Sequence, residues 1–376
     1  MTTDSADTAD TADPSGATLT MDAAGGARPA WDRFVESSVP ASYLQTTPWA
    51  AVKAVNGWTA VRLDAPLGSG RIGAQILVRR PAPLPWAFAY APRGPVASAW
   101  SVDGIGAFTQ LVREALQPET GRVSHLRIDP EVEANGPQDA DGSTQAALDA
   151  AGWRPAPPIQ PNATRVIDLR ADEGALWGDL RKKWRQYVNK ARGAGVRVVD
   201  ADGDRLAEFY RIYRETADRA GFLIRTEQAY RDVWDAFAPF GMVRLLFAES
   251  AEGEPLAALF LIRAGARVVE PYGGMTFAGG ELRANYLLKW EAIRSSRDRG
   301  AETYDLWGLA HAGIAHFKTG FGGREVQYIG AWDLVLDPLG RATYDIAQRG
   351  RVWVARRRRG LAGGSGAVAA GFEGGE

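Results

Sequence analysis

The chain has no cysteine and only three histidines in 376 residues. The first absence excludes disulfides, thiolate nucleophiles, zinc ribbons and iron–sulfur ligation together. It also favours a reducing compartment, since secreted domains of this size often carry a disulfide. The second leaves little from which to build a zinc site. His311 and His316 stand five apart and miss the i, i+4 spacing that puts two ligands on one helix face. We read His125 as a strand residue and the other two as polar residues near a cleft, and expect neither metal nor cofactor.

An excess of charge is missing as well. The formal net charge is −1, so no global field selects nucleic acid or an acidic surface, and phosphate recognition must come from local basic clusters. No run approaches the ~18 apolar residues of a membrane span. Residues 1–28, rich in Thr, Ala and Asp, lack the basic start and apolar core of a secretory signal. These residues and the Gly/Ala-rich 360–376 are expected to be disordered, and the folded part between them to be cytoplasmic.

Three catalytic signatures are absent. There is no Gly-Xaa-Ser-Xaa-Gly elbow and no phosphate-binding loop ending in Gly-Lys-Ser/Thr. A coenzyme A transferase needs backbone amides at a helix N-terminus to hold pyrophosphate. Glycines are plentiful at Gly273, Gly274, Gly279 and Gly280, but the helix after them opens with Glu281, whose charge repels phosphate.

What is present is a repeated order of elements. Short helices at 30–38 and 48–56 precede strands at 58–63, 71–80 and 86–91, a helix at 101–117 and a strand at 123–128. A helix at 144–151 and a strand at 163–169 complete the unit. Helices at 203–219 and 226–239 then precede strands at 242–249, 254–263 and 266–273, a helix at 281–299 and a strand at 303–306. A helix at 311–319 and a last strand at 326–335 close the second copy. Three strands in succession before a helix argue against a doubly wound fold, where strand and helix alternate. The order predicts two tandem α/β domains with mixed sheets, acyltransferase-like (GNAT-like), from an internal duplication. The first is expected over 29–166, completed by about 330–358, and the second over 167–329. Between the copies, residues 181–192 form a basic helix with six cations and no acid, stopped by Gly193-Ala194-Gly195.

Four segments carry a family resemblance. Tyr90-Ala91-Pro92-Arg93-Gly94-Pro95-Val96, Leu126-Arg127-Ile128-Asp129-Pro130, Ile159-Gln160-Pro161 with Thr164 and Ile167-Asp168-Leu169, and Phe317-Lys318-Thr319-Gly320-Phe321-Gly322-Gly323 resemble motifs of the Fem-type (FemABX) peptidyltransferases. The matches keep the family's order from about Trp31 to Tyr344. The resemblance implies two acyltransferase-like domains and transfer of an aminoacyl group from aminoacyl-tRNA. The acceptor is the amine on the third stem-peptide residue of a peptidoglycan precursor, UDP-linked or lipid-linked. An acyl-coenzyme A N-acyltransferase of the same fold, or a non-catalytic precursor- or tRNA-binding protein, are the alternatives.

An aminoacyl ester is already activated, so the chemistry asks for a base and a cation. The acceptor ammonium, with a pKa of ~10.4 if lysine-like, must lose a proton, and Asp129 is the candidate base, or else a turn residue bonding its own backbone. Lys318 is the candidate cation for the oxyanion or the departing ribose oxygen; without the resemblance it reads as a solvent-facing helix lysine. By the same resemblance Lys53 and Arg225 hold the precursor's diphosphate, a point charge paired with a fork. Trp49 lies four residues before Lys53 on one helix face. Tyr230 lines the same groove or faces the core, and Tyr272 belongs to the cleft. Where family members often carry a tyrosine two residues before the match to Tyr272, this chain has Glu270. Arg181, Lys182 and Arg185 are assigned to tRNA, or to an anionic surface at the inner membrane face.

Overall fold

The structure is a computed structural model that describes residues 18–20, 29–68, 70–309 and 312–361. His311 and most of the two terminal segments expected to be disordered lie outside the described residues.

In the first half, β1 (Thr18–Thr20), α1 (Ala30–Ser37) and α2 (Thr47–Ala54) precede β2 (Thr59–Leu67), β3 (Gly70–Arg79), β4 (Ala87–Ala91) and β5 (Val96–Ala97). Then follow α3 (Val102–Thr120), β6 (Val123–Ile128), α4 (Ser143–Ala150), β7 (Trp153–Ala156) and β8 (Ala163–Asp168). The second half runs α5 (Glu173–Asp179), α6 (Lys182–Gly193), β9 (Arg197–Ala201), α7 (Leu206–Ala220), α8 (Glu227–Phe237), β10 (Val243–Glu249), β11 (Pro255–Ala264) and β12 (Arg267–Met275). It ends with α9 (Phe277–Glu281), α10 (Ala284–Asp298), β13 (Thr303–Asp305), α11 (Ala312–Thr319), β14 (Arg324–Gln327), β15 (Ala331–Val335) and α12 (Pro338–Leu361).

Local chemistry accounts for many of the boundaries. The Ser101 hydroxyl accepts from Gly104 N at 3.3 Å and caps α3, and Asp172 Oδ1 accepts from Ala175 N at 2.8 Å to cap α5. Gly221, at φ +73°, ends α7 in the left-handed conformation. The helix expected over 281–299 is broken at Arg283, which takes φ +61° between α9 and α10.

Both halves build the same sheet, and each contributes one strand to the other's. The first sheet is ordered β1-β2-β3-β4-β6-β15-β7 and the second β9-β10-β11-β12-β13-β8-β14. In each, the first four strands pair antiparallel, the fourth and fifth parallel, and the rest antiparallel. β8 ends the first half yet lies between β13 and β14, and β15 ends the second half yet lies between β6 and β7. The strand expected to complete the first unit therefore belongs to the second sheet. The single strand expected over 326–335 is two strands in different sheets, separated near Gly330 at φ +82°. Thr18–Thr20, within the segment expected to be disordered, pair with β2 and form the edge of the first sheet.

The second sheet is covered on both faces, so its interior strand β11 is a nearly continuous apolar run. Ala257, Leu259 and Leu261 point to a core with Trp184 and Val188 of α6 and Leu287, Trp290 and Ile293 of α10. Ala258, Phe260 and Ile262, one residue out of phase, point to a core with Phe209 and Ile212 of α7 and Tyr230, Val233 and Phe237 of α8. That second core continues into Tyr43, Leu44, Trp49 and Val52 beside and within α2. One apolar cluster thus joins the two halves.

Candidate active site

The four quoted segments meet in space. The Arg93 backbone, at φ +56°, donates its N–H to Asp129 Oδ1 at 2.6 Å, and the Tyr90 hydroxyl donates to Asp129 Oδ2 at 2.8 Å. Gln160 N reaches the same oxygen at 3.3 Å. Burial pushes the Asp129 carboxyl up to about 6, against the pull of Arg93 and these donors. Asp129 is thus neither an open base nor a turn residue bonded to its own backbone. Three donors from two other segments hold it, and it fixes the bend at Arg93.

The Arg93 guanidinium passes under two rings, 4.7 Å from the centre of Tyr328 and 5.2 Å from that of Trp307. Its Nη2 donates to the carbonyl of Pro161 at 2.7 Å, and Glu131 lies 3.6 Å from Nε. Trp307, at φ +54°, is held by its N–H on Asp305 Oδ1 at 2.7 Å. Its own carbonyl and that of Gly308 receive the ammonium of Lys318, at 2.6 and 2.8 Å. Lys318 is half-buried in the last turn of α11 and bound to the loop that precedes the helix, so it does not face solvent freely.

A fully buried amine stands next to the segment that carries Lys318. Lys289 of α10 donates to Glu270 Oε1, and the Tyr304 hydroxyl donates to Glu270 Oε2 at 2.7 Å. The residue that departs from the family's tyrosine is therefore part of an ion pair within the core. The Lys289 ammonium lies 5.4 Å from the ring centre of Phe317 and 5.8 Å from that of Phe321. Burial, with the like charge of Lys289 beside it, lowers the Lys318 ammonium to about 8, opposed by Glu270 and Asp305.

On the α2 and α8 side, Lys53 lies 4.8 Å from the ring centre of Trp49, as the i, i+4 spacing demands. Tyr230 is buried in an aromatic group, 5.0 Å from Tyr272 and 5.8 Å from Phe209, and its hydroxyl accepts from Arg225 N at 3.3 Å. Its ring faces the core while its polar tip meets the predicted phosphate-binding residue. Tyr43 connects this side to the loop of Lys318, 5.7 Å from Trp49 and 6.0 Å from Trp307 between ring centres.

On the opposite face of the second sheet, α6 is fastened to the segment carrying Lys318. Trp184 Nε1 donates to the carbonyl of Phe317 at 3.0 Å, and Arg181 N donates to that of Gly320 at 2.9 Å. A Cβ on Gly320 would lie 2.2 Å from the Trp184 ring, so only glycine fits there. The three cations expected to face a polyanion differ. Arg181 turns its guanidinium to His316 at 3.2 Å, and Arg185 donates to the carbonyls of Gly178 and Trp177 at 2.7 and 3.3 Å. Lys182 is exposed, like its neighbour Lys183 and Lys190 further along.

Sequence reasoning missed Arg93, Glu131, Arg267, Asp305, Trp307 and Lys289 as members of the site. For Lys289 a signal existed: it interrupts the apolar run Leu287-Leu288-Lys289-Trp290, and only six of the 44 Lys and Arg residues in the chain are lysine. Among the described residues no group of three or more Asp, Glu or His is disposed to hold a metal ion. The loop after β12 has little left to offer a pyrophosphate. Phe277 N donates to Glu215 Oε1 at 2.9 Å and Gly279 N to Thr276 Oγ1 at 3.0 Å. No helix among the described residues is long and apolar enough to cross a membrane.

Known proteins resemble this chain in sequence and in fold. The model of the FemAB family matches residues 27–250 and 242–349. The lipid II:glycine glycyltransferase of Staphylococcus aureus strain MRSA252 is 24% identical over 388 aligned residues, covering 81% of this chain and 91% of its own. The protein of the same name from strain USA300 matches to the same extent. A crystal structure of FemX has the same fold, with a TM-score of 0.76 at 20% identity, over 87% of this chain and 99% of that one.

Proposed function

The chain belongs to the FemAB family, and from that premise we propose that it moves an aminoacyl group from aminoacyl-tRNA to the amine of the third stem-peptide residue of a peptidoglycan precursor. The observation that carries this reading is the position of Lys318. Its carbonyl partner Trp307 packs with the α2 and α8 side, while its neighbour Phe317 is bonded to α6 on the other face. A donor on the basic α6 face and an acceptor on the Lys53–Arg225 face meet at one ammonium. The acceptor nitrogen attacks the ester carbonyl, the C–N bond forms, and the ribose oxygen leaves with the C–O pair. Lys318 meets the negative charge that develops on oxygen. The test is mass-spectrometric detection of transfer from mixed charged tRNAs to UDP-linked and lipid-linked precursors. No product with either acceptor would overturn the reading.

The acceptor side has its own expected result. Lys53→Ala and Arg225→Ala should each weaken precursor binding by ~1.5–3 kcal/mol, the worth of a charged hydrogen bond. Calorimetry with the soluble UDP-linked precursor reads this directly, and unchanged affinity in both variants removes them from the site.

The donor side is tested with the three exposed lysines of α6, of which Lys183 lies 5.6 Å from the ring centre of Tyr187. Replacing Lys182, Lys183 and Lys190 together by Gln should raise the Michaelis constant for charged tRNA and lower its log–log salt slope by about 2–3. Arg185 is left alone because it ties α6 to the end of α5. If only sedimentation with anionic vesicles changes, this face meets the inner membrane surface and not tRNA.

A further inference from the structure

Two of the six lysines, Lys289 and Lys318, converge on one segment: the Lys289 ammonium lies 5.4 Å from the ring centre of Phe317, the residue before Lys318. Buried ion pairs are costly to form, and an apolar pair of similar size would often serve the core as well. Here the pair sits in an otherwise apolar core of α6 and α10. Lys289 is 3% exposed, Glu270 7% and Tyr304 not at all. Glu270 has one oxygen on Lys289 and the other on Tyr304, so it is already occupied by two donors. Asp305, the other nearby carboxylate, is occupied by Arg267, Thr164 and Trp307 N. Lys318 therefore bonds only to neutral carbonyls among the described residues, with a cation on α10 next to its segment. Arg181, ahead of α6, turns to His316 instead. A half-buried amine near another cation and without a carboxylate of its own gives up its proton readily.

We propose that Lys289, fixed by Glu270 and Tyr304, is a positioning residue that lets Lys318 act as a proton shuttle in the transfer step. The inference rests on the aminoacyl transfer proposed above. As the C–O bond to ribose breaks, the Lys318 ammonium gives its proton to the departing oxygen. The neutral Lys318 amine then takes the proton from the newly bonded nitrogen, which becomes the amide, so no net proton is exchanged with solvent. Lys289 touches no substrate. It acts through its charge and through the rings of Phe317 and Phe321, which stand one residue before and three after Lys318.

The experiment follows Lys318 itself. With six lysines, the 13C-lysine NMR spectrum of the whole chain is sparse, and Lys318→Arg assigns its resonance. The Lys318 signal should titrate near 8 in the parent and move up by about one unit in Lys289→Met, where Glu270 is left facing it. The alkaline limb of single-turnover transfer should move with it, and Lys289→Arg should leave both in place. Should Lys289→Met fail to fold, Lys289→Met with Glu270→Gln removes the pair together and should give a smaller upward shift. A Lys318 titration unmoved in these variants overturns the proposal, as does a moved titration with an unmoved rate profile. Normal turnover in Lys318→Met overturns it as well, whereas absence of any transfer by the parent counts against the transfer reading on which it rests.

Discussion

Lys318→Met should lower single-turnover transfer by about 10²–10³-fold while leaving precursor affinity nearly unchanged, the usual cost of removing one donor to a developing oxyanion. The two effects separate because a charge that meets oxygen only as the ester opens adds little to ground-state binding. Lys318→Arg should recover little. The ammonium is fitted between the carbonyls of Trp307 and Gly308, and a planar fork is larger and directs its donors differently. The pH profile carries a second signature. The acceptor amine reacts in its neutral form, so transfer first rises with pH. Lys318 is needed charged, and its proton is lost as pH passes about 8, so transfer should then level off and fall. In Lys318→Met the residual rate should keep rising through that range. Normal turnover with weakened precursor binding would make Lys318 an anchor; no change in either would leave it a bystander.

The duplication was legible because it is written in element order, and order survives when identity does not. The strand exchange was not. Residues 163–168 and 331–335 each look like an ordinary closing strand, and nothing local says which sheet edge will receive them. The Lys53–Trp49 pair was legible from helix spacing alone. Asp129 was found, but not its occupation, because its donors are the Tyr90 hydroxyl and the backbone of Arg93 and Gln160, two segments distant in sequence. The basic helix was legible as a charge run, whereas its anchoring through Trp184 to Phe317 depends on tertiary packing. Glu270 looked like a loss of aromatic character. Only when α10 crosses β12 does Lys289 meet it and turn an isolated acid into half of an ion pair.

The same limit hid Arg267, whose loss should be strongly destabilising. Arg267 begins β12 and is 5% exposed. It donates to both oxygens of Glu131, at 2.6 and 2.8 Å, and also to Asp305 and to the carbonyl of Ala41 at 3.0 Å. Glu131 and Ala41 belong to the first half and Asp305 to the second, so one guanidinium fastens the two. Arg267→Met leaves two buried carboxylates without their main counter-charge, and breaking one such pair typically costs ~3–5 kcal/mol. For a folded unit of this size a loss of that order lowers Tm by about 4–7 °C. Arg267→Lys should fall between, keeping the charge but not the fork on Glu131. Activity should decline beyond the loss of fold, since Asp305 orients Trp307, whose carbonyl holds Lys318. Calorimetry checks the first part, and turnover of the folded fraction at low temperature checks the second. A Tm within about 2 °C of the parent at pH 8 would mean that the apolar cluster around Tyr43 and Phe237 holds the halves together by itself.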